Sequence, residues 1–151
     1  MRAAGHVWLR YHKPVGVLST TLPSADGPTI RDQLGALYEA LGADVVPVGR
    51  LDKASSGLLL LTSDQEALAS LLRPGLTGSP FLKVYRVTTG RDMPEWTLEK
   101  MRAGMHLSIR KWKRRERIRT LPCQVERVSE GVLRFGLREG KVSRGRSNRH
   151  V

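Results

Sequence analysis

The longest unbroken run of large apolar residues in the chain is Leu58–Leu61. That limit constrains the fold more than any other feature. A membrane-spanning helix needs roughly 20 apolar residues, so the core must be assembled from short strands and one-sided helices. The length of 151 residues fits a single domain, and a hydrophobic fraction of 40% is enough for a core. Aromatic residues make up only 5%, which leaves most of the packing to Leu and Val. Cys123 is the sole cysteine. It excludes an internal disulfide and a paired-cysteine metal site, and it fits a reducing compartment, the cytoplasm or an organelle matrix. The N-terminus reaches Tyr11-His12-Lys13 without an apolar segment of the kind a secretory signal carries.

Charge is distributed very unevenly. Residues 110–119 hold seven basic groups and one acid, residues 138–149 hold five and one, and together they supply ten of the formal net charge of +12. Two positive patches on a nearly neutral body suit a polyanion. Nucleic acid is the commonest such partner for a soluble protein, because each neutralised phosphate releases counterions. The plainer alternative is a solvated charged loop followed by a disordered basic tail.

The hydrophobic pattern gives a coarse order of elements. Val7, Leu9 and Tyr11 alternate with Trp8 and Arg10 as in a strand, and Val15–Leu18 reads as a second short extended piece. Thr29 is placed to cap a helix running through Ile30, Leu34, Leu37, Tyr38 and Leu41, with Gly42 as its stop. Val45–Val48 is a short apolar run, Leu58–Leu61 a buried strand, and Asp64–Leu72 a helix. Phe81–Val87 alternates as a strand, and a helix runs from Pro94 to Gly104. His106–Ile109, Leu121–Val128 and Val132–Leu137 are three further strands. Helices and strands interleave early and strands cluster late. This predicts an α+β fold with a mixed, largely antiparallel sheet and flanking helices. Residues 1–139 are expected to form the domain, and 140–151 a basic, disordered tail.

The segment from Val48 to Asp64, VGRLDKASSGLLLLTSD, carries the chemistry. Asp52 lies in a Gly-flanked connection between two apolar runs, where rigid neighbours commonly present functional side chains. Arg50, two residues earlier, could reach a phosphate or the carboxylate itself. The alternative is an ordinary turn aspartate paired with its own arginine, an arrangement that is common and energetically minor.

Gly49, Arg50, Leu51 and Asp52, followed by Ser55, Gly57, Leu58 to Leu61 and Thr62, resemble the signature of pseudouridine synthases, specifically the rRNA-modifying RsuA-type branch. Lys13-Pro14 with Gly16 resembles that family's Lys-Pro-x-Gly element, and Lys83-Val84-Tyr85 its Lys-x-Tyr strand. The resemblance implies an isomerase that detaches a uracil base from its sugar, turns it and rejoins it through carbon. Asp52 would be the catalytic carboxylate and Tyr85 the aromatic residue that stacks on the base and assists proton removal. On periodicity alone, Tyr85 could equally be a core strand tyrosine. Reactant and product have the same composition, so no cofactor or metal is implied. The expected partner is RNA, most of all ribosomal RNA, with no membrane. Because the target uridine must leave its stack, basic groups have to hold the flanking strand. The candidates are Arg50, Lys13, Lys83, Lys111, Lys113, Arg114 and Arg115.

Two departures accompany the resemblance. Many relatives carry an N-terminal S4-like RNA-binding module, whereas this chain starts at the catalytic domain. The late Leu137-Arg138-Glu139-Gly140-Lys141 begins like a family motif that then breaks off. Ungapped alignment puts Arg146 where the family's Asp-pairing cation would stand. A chain shortened there is expected to leave Val132–Leu137 as an exposed apolar edge. The reading from a different class is a catalytically impaired RNA-binding remnant of the same fold. A basic structural protein of the ribosome would leave Asp52 and Tyr85 unexplained.

Overall fold

The computed structural model describes residues 5–72, 81–111 and 114–138. They group into two compact units, Met1–Arg73 and Pro74–Val151. The expected tail, with Arg146, and Lys113 lie outside the described residues.

In the first unit, β1 (Trp8–Lys13), β2 (Val46–Pro47) and β3 (Gly57–Thr62) form an antiparallel sheet in the order β1-β3-β2. Trp8 pairs with Thr62 and the register runs to Lys13 opposite Gly57. Strand alternation sends Leu9, Tyr11 and Lys13 to one face and leaves Trp8, Arg10 and His12 exposed on the other. Leu59 and Leu61 of β3 join the inner face, where they meet Val17, Ile30, Tyr38 and Val45 in the core.

Two expectations for this unit are corrected. The helix predicted over Ile30–Leu41 is two short helices, α1 (Ile30–Leu34) and α2 (Ala36–Ala40). Gly35 breaks it with φ 49° and ψ −127°, a backbone conformation open chiefly to glycine. The expected cap at Thr29 is present. Its hydroxyl accepts from the Asp32 N–H while the Asp32 carboxylate accepts from the Thr29 N–H, a reciprocal capping box. These bonds hold the Asp32 carboxyl below its ordinary pKa. The segment Val15–Leu18, read as extended, is a turn with a single bridge from Leu18 to Thr29. The reason is Lys13, whose ammonium donates to both Pro14 O and Val17 O at 2.8 Å and curls the chain around itself. Helix α3 (Gln65–Leu72) closes the unit, with the Asp64 carboxylate accepting from the Ala67 N–H at 2.9 Å as its cap.

In the second unit, β4 (Lys83–Thr88) is followed by α4 (Glu95–Ala103), β5 (His106–Lys111), β6 (Arg114–Arg119), β7 (Gln124–Ser129) and β8 (Val132–Leu137). One antiparallel sheet has the order β4-β8-β7, and β5 and β6 pair as a separate antiparallel hairpin. Leu98 of α4 is fully buried against Val125 and Leu133, with Met93, Met101, Cys123 and Phe135 around them. Gly104 ends α4 with φ +90°, and a Cβ there would stand 2.5 Å from the Thr120 carbonyl. The helix can therefore pass this close to the chain leaving the hairpin only at a glycine.

Val132–Leu137 is not an exposed edge. It is the central strand of its sheet, paired on both sides, and Leu133 is 1% exposed. The α+β class and the antiparallel pairing expected from the pattern are present, in three small sheets. Strand β6 lay unrecognised within the charge run of residues 110–119.

Candidate active site

Asp52 sits in the connection from β2 to β3, and that connection is fastened along its length. The Val48 N–H donates to Leu60 O at 2.7 Å and extends the β2–β3 pairing. Gly49 follows with φ +92°, turning the chain out of the sheet. Ser19 then grips Leu51 by both backbone groups: its Oγ donates to Leu51 O at 2.7 Å and accepts from the Leu51 N–H at 3.0 Å. On the other side of Asp52, Lys53 O accepts from the Gly16 N–H at 2.7 Å, and Lys53 Nζ donates to Asp26 O at 2.6 Å. The Ser55 N–H closes the turn onto Asp52 O at 2.9 Å. Asp52 itself is exposed. Its backbone is held on both flanks while its side chain stays open to a substrate, the preorganised placement that catalysis requires.

Lys13 supplies the local positive charge. It is 0% exposed, and burial pushes its ammonium below the ordinary lysine pKa while the Asp52 charge pulls it back up. Expected among the RNA-binding side chains, Lys13 is instead inside the first unit, with two of its donors given to Pro14 O and Val17 O. Arg50 is exposed beside Asp52, but the ion pairs among the described residues join other groups. The Asp52 charge thus acts on Lys13, 39 residues away in sequence, against the larger effect of burial.

The other expected residues fall in the second unit. Lys83 and Tyr85 are half-buried on the same face of β4, opposite Leu137 and Phe135 of β8. Lys111 and Arg114 are paired in register at the tip of the β5–β6 hairpin, and Arg115 is exposed one position further along β6. Ser19 was not singled out by sequence. It lies in a polar Ser-Thr-Thr run 32 residues before Leu51, and no spacing rule ties such a run to a distant loop.

Ser19→Ala is expected to lower kcat by about 10- to 100-fold, the order that loss of accurate placement costs, with little change in KM. Ser19→Thr, which keeps the hydroxyl, should recover much of it. Steady-state kinetics decide the point, and an unchanged kcat in the alanine variant would remove Ser19 from the site.

The family model described as RNA pseudouridylate synthase matches residues 7–147. The chain belongs to that family. It is 34% identical over 130 residues to the ribosomal small subunit pseudouridine synthase A of Pseudomonas aeruginosa, covering 86% of this chain and 51% of the relative. It is 31% identical over 134 residues to the dual-specificity RNA pseudouridine synthase RluF of Escherichia coli, covering 89% of this chain and 40% of that one. A crystal structure of a pseudouridylate synthase superposes with a TM-score of 0.72 at 23% identity, covering 91% of this chain and 53% of the other, which shows the shared fold. The chain therefore spans about half the length of the relatives it matches, or less. Among the described residues, no helix is long and apolar enough to cross a membrane.

Proposed function

We propose that this chain isomerises uridine to pseudouridine in ribosomal RNA, with Asp52 as the catalytic carboxylate. The observation that carries the reading is the two-sided fastening of Leu51 and Lys53, which fixes the backbone around an exposed Asp52. Ribosomal RNA is supported by the similarity to a ribosomal small subunit pseudouridine synthase and by the concentrated positive charge of residues 110–119.

The reaction needs a flipped-out uridine. The Asp52 carboxylate attacks the sugar carbon that bears the base, and the bond between that carbon and the ring nitrogen breaks as the Asp52–sugar bond forms. The freed uracil turns, and its carbon-5 bonds to the same sugar carbon as the Asp52–sugar bond breaks and returns the free carboxylate. The proton on carbon-5 then leaves, Tyr85 assisting its removal, and the freed ring nitrogen ends protonated. Atoms and electrons balance without a co-reactant. A covalent role requires Asp52 in its charged form, and that charge raises the pKa of the buried Lys13 ammonium against its burial.

The test follows the carbon-5 proton. Ribosomal RNA transcribed with tritium at uridine carbon-5 should lose tritium to water when incubated with the chain, and a chemical map of the product should place pseudouridine at discrete positions. RNA binding without tritium release would support the impaired-remnant reading instead.

A further inference from the structure

We propose that the outward face of β6, carrying Arg115, Arg117 and Arg119, is a rail for consecutive phosphates of an RNA strand. The proposal rests on the reading of the chain as an RNA-acting protein and identifies which surface holds the backbone. Strand alternation divides the β5–β6 hairpin into two faces. Ile118 is buried at 8% exposure, whereas Arg117 and Arg119 on either side of it are exposed, as is Arg115. Ile118 thus lies on one face of β6 and the three exposed arginines on the other. Across the hairpin, Arg119 pairs with His106 and Arg117 with Ser108, both exposed, and Arg115 pairs in register with Arg110. Glu116, the one acid in residues 110–119, occupies a register position on the opposite face.

Two features point to an anionic strand. Arg31, Arg102, Arg127 and Arg134 each pair with a carboxylate. Arg115, Arg117 and Arg119 enter no ion pair among the described residues. Moreover, the register sets Arg110 opposite Arg115 and Lys111 opposite Arg114, so basic residue types face each other at two successive positions of the ribbon, a pattern that an anion favours. Alternate residues of a strand stand about 6.5–7 Å apart, a repeat comparable to that of successive phosphates along an extended strand. A row of guanidiniums at that repeat reads the backbone and not the bases.

Binding of the full chain to single-stranded ribosomal RNA, measured against salt concentration, tests the rail. Each neutralised phosphate of a single strand contributes about 0.7 to the slope of log affinity against log salt. The triple change Arg115→Gln, Arg117→Gln, Arg119→Gln should therefore reduce the slope by about 2, and Arg117→Gln alone by about 0.7. The pair Lys111→Gln, Arg114→Gln, whose register positions lie on the Ile118 face, should reduce it by less than the triple. Circular dichroism should show the same fold throughout, since the three arginines are exposed. A triple variant with the parental slope, or a Lys111/Arg114 pair that loses as much as the triple, overturns the rail. Tritium release separates this from the proposed activity. A parent that releases tritium while the triple keeps its full salt slope sinks the rail alone, and a parent with a rail-dependent slope but no release sinks the isomerase reading alone.

Discussion

Changing Asp52 to Asn is expected to stop tritium release altogether, a fall of at least the roughly 10²- to 10⁴-fold that a positioned acid–base group contributes. RNA affinity should stay near the parental value. The amide has the shape of the carboxylate but can act neither as nucleophile nor as base. Stability should move little, because Asp52 is exposed and, among the described residues, it is the Asp52 backbone carbonyl that accepts a bond, from the Ser55 N–H. The turn therefore survives the substitution. The same change removes the charge that opposes the burial of Lys13, so the Lys13 ammonium should titrate lower still in the variant. Parallel assays of tritium release, thermal melting and RNA binding check these statements on activity, stability and affinity. Turnover at the parental rate would remove Asp52 from the chemistry.

What the sequence disclosed about this loop, and what it concealed, follows from the range of the interactions involved. Asp52 is a candidate because the motif that carries the resemblance, Gly49 to Thr62, is contiguous. Its glycine-flanked link between the apolar runs Val45–Val48 and Leu58–Leu61 would by itself also suit an ordinary turn aspartate. The cap at Thr29 and the stop at Gly42 are equally local, and both are present. The burial of Lys13 is not legible in the sequence, because lysine is almost always solvated. Only the tertiary turn that brings Pro14 O and Val17 O to its ammonium makes burial tolerable. The same turn cancelled the strand expected at Val15–Leu18. Strand β6 was hidden because its alternation is basic against a single apolar residue, Ile118, and so carries almost no hydrophobic signal. The order β4-β8-β7 could not be read either. Which strand lies in the middle of a sheet is decided by pairings between distant segments, and Val132–Leu137 looks the same in sequence at the centre or at the edge.

Lys13→Ala is expected to be the most destabilising single change in the first unit, at about 3–5 kcal/mol, the range for removing a large buried side chain together with its bonds. The side chain is wholly buried, and its loss leaves a cavity with the Pro14 and Val17 carbonyls unpaired. Lys13→Met fills the space with a stem of similar length and removes a buried charge, so it should cost less than the alanine change while still orphaning both carbonyls. A pH series separates the charge from the packing. The folded-state pKa of Lys13 is lowered by burial, so between that value and the ordinary lysine pKa the unfolded chain binds more protons than the folded one. Stability from this group therefore rises as pH climbs through that window. The neutral amine keeps two N–H donors, enough for both carbonyls, so deprotonation relieves the buried charge without breaking either bond. Denaturant melts of the parent between neutral pH and the ordinary lysine pKa should show this contribution as an upward slope that the methionine variant lacks. Identical pH dependence in parent and methionine variant would show that the Lys13 charge carries no desolvation cost. The alanine variant should also lose activity beyond its loss of stability, because the turn that Lys13 organises presents the Gly16 N–H to Lys53 O and the Ser19 hydroxyl to Leu51, on the two sides of Asp52.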